Sequence, residues 1–259
     1  MPIPSLFRSQ NVVAFIVSTA IMVVWVELVK LFAKNGLMQT WHRRKVLHIL
    51  TGPIFIITWH LFTNDEEGSQ YAAAVPGVMT LKFFLVGIGA LDDQDTVNSA
   101  ARNGNRSELL RGPLFYGIIF VLSTLWFWKQ QRGVISLFVL CFGDGFAELF
   151  GRTFGHFRRL FWSPGKSVPG LLGFISMSTL CTWLFITCVA SHYAILNNDS
   201  LTTMWGRQSD CSLAVRILFV SVVCGLVETL PVQEIDNITI FIAGIVADCY
   251  FCQHHKSIC

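Results

Sequence analysis

Charge is scarce in this chain. Only 14% of its 259 residues are Asp, Glu, Lys or Arg, against 53% hydrophobic residues and a mean hydropathy of +0.56. That balance points away from water, and 22 Phe with 8 Trp exclude a disordered chain. There is no large excess of one sign either: 19 Lys plus Arg face 16 Asp plus Glu, and a net +3 spread over many loops is too small for a nucleic-acid footprint. Neither a G-x-x-x-x-G-K-[ST] P-loop nor a kinase Gly-rich loop with its partner motifs occurs, which excludes the soluble kinase folds. No internal repeat or low-complexity linker divides the chain, so one helical domain over residues 1–259 is the economical organisation. Cys141, Cys181, Cys188 and Cys224 lie within apolar runs and read as small core hydrophobes, not as a disulfide scaffold.

What the chain does have is apolar length. Eight stretches approach the roughly 20 residues that a bilayer demands: Val12 to Ala33, Val46 to Phe62, Tyr71 to Leu91, Pro113 to Trp128, Val134 to Phe150, Gly170 to Ile195, Leu213 to Val232 and Ile238 to Cys252. They predict an all-α, polytopic membrane helix bundle with seven to eight transmembrane helices, the last being the shortest. The few residues before Asn11 are too short for a transit peptide, so no cleavage is expected. If the spans alternate, the loops after the first, third and fifth share one side. They carry twelve of the 19 Lys and Arg, while Arg8, Lys129, Arg132, Arg207, Arg216 and Lys256 are assigned to the other side. The basic side is therefore expected to be cytoplasmic or its equivalent.

Four clusters fall on that basic side. The segment Gly143-Asp144-Gly145-Phe146-Ala147-Glu148-Leu149-Phe150-Gly151-Arg152 ends an apolar span with two carboxylates one helical turn apart, on one face. Carboxylates at membrane depth are costly and repel each other unless a cation is held near them, and a hard divalent ion such as Mg²⁺ fits. Gly143, Gly145, Gly151 and Gly155 permit close backbone approach, and Arg152, Lys166 and Ser167 are candidate anion ligands. Arg43-Arg44-Lys45-Val46-Leu47-His48 heads the second span; as a topology anchor it needs no chemistry, but its cations also suit a phosphate clamp beside His48. Ala101 to Pro113 adds Arg102, Arg106 and Arg111, and Pro113 is a natural helix start. Glu228-Thr229-Leu230-Pro231, followed by Glu234-Ile235-Asp236-Asn237, has no cation at all. Segregated cations and carboxylates on one surface are what a nucleoside triphosphate with Mg²⁺ requires.

Other features carry less. Cys249, Cys252, His254, His255 and Cys259 have ligand-like spacing but read as a membrane-exit tail. Of the N-x-[ST] sequons at Asn105, Asn198 and Asn237, only Asn198 lies on the side away from the nucleotide. Glu27, Lys82 and Asp248 are charges within spans, for which interior pairing is the plain reading.

Taken in order, the four clusters resemble the polyprenol kinase family of membrane enzymes, which includes phytol, farnesol and dolichol kinases. Its R-K-x-x-H segment stands here as Arg44-Lys45-Val46-Leu47-His48, and E-L-L-R-G-P-L-x-Y as Glu108 to Tyr116. Its G-D-G-x-A-D-x-x-G-R-x-x-G segment with a downstream K-S-x-x-G stands as Gly143 to Gly155 with Lys166 to Gly170. Its E-S-L-P segment with a following D-N stands as Glu228 to Pro231 with Asp236-Asn237. The resemblance covers most of the chain, from about Arg43 to about Asp248, and the Glu-Leu-Leu-Arg-Gly-Pro-Leu-Phe-Tyr run is most similar to the phytol and farnesol kinases. Three departures stand out: Glu148 replaces the usual Asp, Ile235 precedes Asp236 where an Asp-Asp pair is usual, and Val168-Pro169 replaces an aromatic-Ala pair.

The resemblance implies transfer of the γ-phosphoryl group of CTP, with Mg²⁺, to the hydroxyl of a long prenyl alcohol, phytol first. It assigns Asp144 and Glu148 to the metal, with Glu228 and Asp236 as further candidates for metal binding or hydroxyl orientation. Arg44, Lys45, Arg111, Arg152 and Lys166 would hold phosphates, and His48 is a candidate general base. It also implies a chloroplast envelope, with the endoplasmic reticulum as the alternative. A farnesol or dolichol acceptor, a cytidylyltransferase acting at the α-phosphate and an anion transporter stay open as other readings. Against a transporter, the chemistry sits at helix ends on one face and not near the midplane.

Overall fold

The computed structural model describes residues 4–37, 40–155, 158–196, 210–231 and 235–254. Asn198, Arg207, Glu234, His255, Lys256 and Cys259 lie outside the described residues. The chain forms two compact units, Met1–Trp128 and Lys129–Cys259.

The first unit contains α1 (Pro4–Lys34), α2 (Thr40–Thr58), α3 (Glu66–Gly87), the short α4 (Gln94–Ala100) and α5 (Gly112–Trp126). α1 is the most lipid-like: Val13, Ile16, Val23 and Val24 are all exposed, a surface that only an apolar solvent tolerates. Its inner face is pinned by polar contacts. Buried Asn11 donates to Thr63 Oγ1 at 2.9 Å and accepts from Thr63 N at 3.1 Å, while Trp25 Nε1 donates to Thr51 Oγ1 at 3.1 Å. α3 and α5 pack so closely that a Cβ on Gly117 would lie 2.2 Å from Thr80 Oγ1. α4 arises where the sequence reads as a loop. Asp93 caps it through Thr96 N at 2.8 Å and pairs with Lys82 at 2.6 Å. The Lys82 ammonium, then the Thr96 amide, hold the Asp93 carboxyl down at about 2.

The second unit contains α6 (Gln131–Phe154), a two-stranded antiparallel hairpin of β1 (Arg159–Leu160) and β2 (Ser163–Ser167), then α7 (Val168–Leu196), α8 (Asp210–Glu228) and α9 (Asp236–His254). Every residue from Gly133 to Gly143 on α6 is buried, as a helix apolar on all sides must be. α7, α8 and α9 surround it. Glycines set the spacing: a Cβ on Gly143 would strike the Phe174 ring at 2.4 Å, and one on Gly244 would meet Ser136 Oγ at 3.0 Å. The hairpin was not foreseen, because its residues show no polar–apolar alternation. Its strands join through the turn Phe161-Trp162, the Ser-Pro-Gly run opens β2, and Val168 N donating to Arg158 O at 2.9 Å closes its base.

Each of the eight apolar stretches has most of its residues on a long helix, although Val46–Phe62, Tyr71–Leu91, Pro113–Trp128 and Leu213–Val232 run past their helix ends. Among the described residues, four helical segments are long and apolar enough to cross a membrane: Ser9–Lys34, Arg106–Trp126, Gln131–Phe154 and Val168–Val189. The protein is thus all-α apart from one hairpin and of membrane type.

Three expectations are corrected here. Arg216 is no loop cation. It is buried on α8 and binds Asp248 of α9 through Nε at 2.7 Å and Nη2 at 2.8 Å, with Nη1 on Gln131 Oε1 at 2.6 Å. Of the other charges within spans, Lys82 pairs with Asp93 and Glu27 with Lys30 on the exposed side of α1. Cys252 and His254 continue α9 in place of an exit tail, and Cys252 is disulfide-bonded, whereas Cys141, Cys181, Cys188 and Cys224 are free.

Candidate active site

Asp144 lies in the second half of α6, just past the continuously buried stretch Gly133–Gly143 and next to Gly145, which is buried again. Lys166 sits on β2, Glu228 is the last residue of α8, and Asp236 is the first residue of α9. These four belong to one constellation. Lys166 forms an ion pair with Glu228, which is only 5% exposed, and it also feels the charges of Asp144 and Asp236. Burial alone would push the Lys166 ammonium toward neutrality, but the Glu228 carboxylate more than offsets it, and the lysine pKa stands above its ordinary 10.5. Lys166 therefore stays charged throughout the neutral range.

The hairpin carrying Lys166 is itself fixed. Trp162 Nε1 donates to Thr229 Oγ1 at 3.1 Å, and Thr229 donates in turn to Leu226 O at 2.7 Å. Two neighbouring side chains of α8's end, Glu228 and Thr229, thus grip two residues of one hairpin. Ser167 caps α7 by accepting from Gly170 N at 3.2 Å. It also occupies the space that Gly155 and Gly151 leave open, since a Cβ on Gly155 would lie 2.6 Å from Ser167 Oγ. Gly151 and Gly155 thus serve the packing of hairpin and α7 onto α6, while Gly145 is buried on α6.

Glu148, one turn beyond Asp144, binds Arg152 at 2.8 Å. Asp236 opens α9, its carboxylate accepting from Asn237 N at 2.9 Å. Arg44, Lys45, His48 and Arg111 belong to the first unit. There Tyr116 donates its hydroxyl to His48 O at 2.7 Å, with the two rings 4.3 Å apart, and Lys45 is buried. Neighbouring Arg43 donates to Asn98 O. In the same unit Glu108 gathers the backbone of its own loop, accepting from Arg102 N at 2.5 Å and Asn103 N at 3.1 Å. The direct Lys166–Glu228 pairing and the Trp162–Thr229 tie were not read from the sequence. The signal available was the Ser-Pro-Gly run just before Lys166.

Among the described residues, no three His, Cys, Asp or Glu side chains are gathered closely enough to hold a metal ion by themselves. Mg²⁺ rarely needs such a cage, since it takes one or two protein carboxylates and completes its shell with phosphate oxygens and water. Asp144 and Asp236, each within electrostatic reach of Lys166, would be carboxylates of that kind.

Comparison with known proteins points the same way. The chain is 34% identical over 226 residues to a probable phytol kinase 1, chloroplastic, of Glycine max, covering 86% of this chain and 70% of the relative. Farnesol kinase, chloroplastic, of Arabidopsis thaliana is 31% identical over 238 residues, 91% of this chain and 72% of the relative. The chain belongs to the polyprenol kinase family. Phytol kinase 1, chloroplastic, of Arabidopsis thaliana is a further member, 34% identical over 217 residues, with 83% and 67% covered. No family model and no solved structure matches. Within this family of membrane enzymes, the Gly143–Gly155, Lys166–Gly170 and Glu228–Pro231 motifs all fall on the constellation around Lys166.

Proposed function

We propose that this protein transfers the γ-phosphoryl group of CTP to the hydroxyl of phytol, giving phytyl monophosphate and CDP. The observation that carries the reading is Lys166, a cation set among Glu228 and Asp236 at helix ends and Asp144 on α6. Polar chemistry at the rim of a greasy bundle suits a reaction whose donor is a polar triphosphate and whose acceptor is a lipid. The family supports kinase chemistry on a prenyl alcohol, and the relatives named phytol kinase support phytol.

Phosphoryl transfer asks mainly for positioning and charge neutralisation. Lys166 donates to the transferring phosphate, and the positive dipole end of α7 that follows it favours the same negative charge. Arg152 turns from Glu148 to the phosphates when the nucleotide binds. Glu228, already oriented by Lys166, accepts the hydrogen of the acceptor hydroxyl and aims its oxygen. Asp144 and Glu148, with Asp236, would hold Mg²⁺, which neutralises charge on the β- and γ-phosphates. Arg44, Lys45 and Arg111 are proposed phosphate ligands, and His48 a proposed general base, on the strength of their motifs.

The helices cross the membrane eight times, and the basic loops lie on the nucleotide side. The membrane is the chloroplast envelope, a reading supported by the relatives' chloroplastic names. Incubating membranes that contain the protein with phytol and either γ-labelled or α-labelled CTP tests the reaction. Label from the γ position alone should enter the lipid. Transfer from the α position would reveal a cytidylyltransferase instead, and absence of lipid label from both would reject an enzyme of either kind.

A further inference from the structure

The hairpin between α6 and α7 exposes two aromatic rings that phosphoryl transfer does not use. Phe161 is 90% exposed and Trp162 44%, their rings edge to face with centroids 4.6 Å apart. The helices on either side are both long and apolar enough to cross a bilayer, so the chain that joins them surfaces at a membrane face. This tip is stiff. The Trp162 N–H is held by Thr229, Arg159 Nη1 donates to Pro164 O at 3.1 Å, and Leu160 is buried beneath the turn. Arg158 and Arg159 stand exposed beside the rings. Rigid, uncovered aromatics flanked by guanidinium groups at the end of two spanning helices match the headgroup zone, where rings bury their apolar bodies and cations meet anionic lipids.

We propose that Phe161 and Trp162 lie in the headgroup layer of the bilayer that α6 and α7 cross, with Arg158 and Arg159 on anionic headgroups. This contact sets the depth of Lys166, because the same short hairpin carries both. Trp162 binds Thr229 while Lys166 binds Glu228, so the membrane contact and the reactive constellation are fixed to adjacent residues. Depth matters for a lipid hydroxyl that resides at the interface, a consequence that rests on the prenyl alcohol reading. The contact itself does not.

The test places an environment-sensitive thiol fluorophore at Phe161→Cys, with Asn103→Cys as an exposed reference and the wild-type chain labelled in parallel as background. The protein is reconstituted in phosphatidylcholine liposomes with and without phosphatidylglycerol. At position 161 we expect blue-shifted emission and at least about twofold quenching by lipids brominated near the headgroup. The quenching is stronger with phosphatidylglycerol, and position 103 shows neither effect. Water-like, unquenched emission at position 161 overturns the proposal. So does shielding of the probe by CTP and not by lipid, which would make the rings a base-stacking platform. In a second arm, Phe161→Asp should raise the apparent KM for phytol about tenfold, with the KM for CTP unchanged. An unchanged phytol KM despite lipid quenching overturns the depth-setting role. An inactive wild-type chain counts against the kinase reading and leaves the quenching result to decide the membrane contact.

Discussion

Arg216 and Asp248 meet through two parallel N–H···O bonds of 2.7 and 2.8 Å, on helices α8 and α9, with the carboxylate fully buried. Removing one partner strands the other charge in the interior, at a cost of about 3–5 kcal/mol. Asp248→Leu alone should therefore lower the thermal midpoint in detergent sharply. The double variant Arg216→Met, Asp248→Leu should recover most of the loss. A double variant as unstable as the single one would show that the bidentate pair contributes attraction well beyond cancelling its own desolvation.

Asp144→Asn should reduce phosphorylation at least about a hundredfold while membrane insertion and thermal stability stay near wild type. Glu148→Asp, the residue usual in the family, should keep a measurable part of the activity. Turnover by Asp144→Asn within a few-fold of wild type, measured with γ-labelled CTP, would remove that carboxylate from the metal assignment.

The state of Lys166 gives a pH prediction. Its raised pKa keeps it protonated below the ordinary lysine value, and its contribution is lost only as pH rises past the folded-state pKa. Glu228→Gln removes the principal group that raises it and leaves burial, which lowers it. The alkaline limb of kcat/KM for CTP should then move to lower pH in Glu228→Gln and move to higher pH or vanish in Lys166→Arg, whose guanidinium stays charged. An unmoved limb in Glu228→Gln would separate Lys166 from the rate.

Much of this was legible beforehand. Most of each apolar stretch lies on a long helix because bilayer thickness fixes how much apolar chain a helix needs, a length visible without contacts, whereas the ends of four stretches overran their helices. Asp144 and Glu148 were read correctly as one turn apart, but that same period places Arg152 one turn beyond Glu148, and this nearer ion pair was passed over. The hairpin stayed hidden because two short strands with a register shift between Arg159 and Leu160 carry no period-2 pattern. Arg216 was placed in a loop because only its partner, 32 residues away, makes a buried arginine tolerable.

Sidedness within the second unit is open to direct measurement. Cysteines at Arg158 and Ile235, probed in sealed vesicles with an impermeant thiol reagent, should react from one face. A cysteine at Gln130, before α6, should react from the other. Labelling of Ile235 from the Gln130 face, with Arg158 labelled from the other, would mean that α7 and α8 do not both cross.

The burial of α6 has a consequence for how the protein is made. Buried over 72% of its apolar window, this helix is enclosed by α7, α8 and α9, all of which are synthesised after it. On leaving the ribosome it meets lipid on faces that will later meet protein, and it must wait there as an independently inserted helix until its neighbours arrive. Asp144 comes early, Lys166 next, and Asp236 only once α9 begins. No nascent chain shorter than that holds the full constellation, so phosphotransfer must wait until α9 is made.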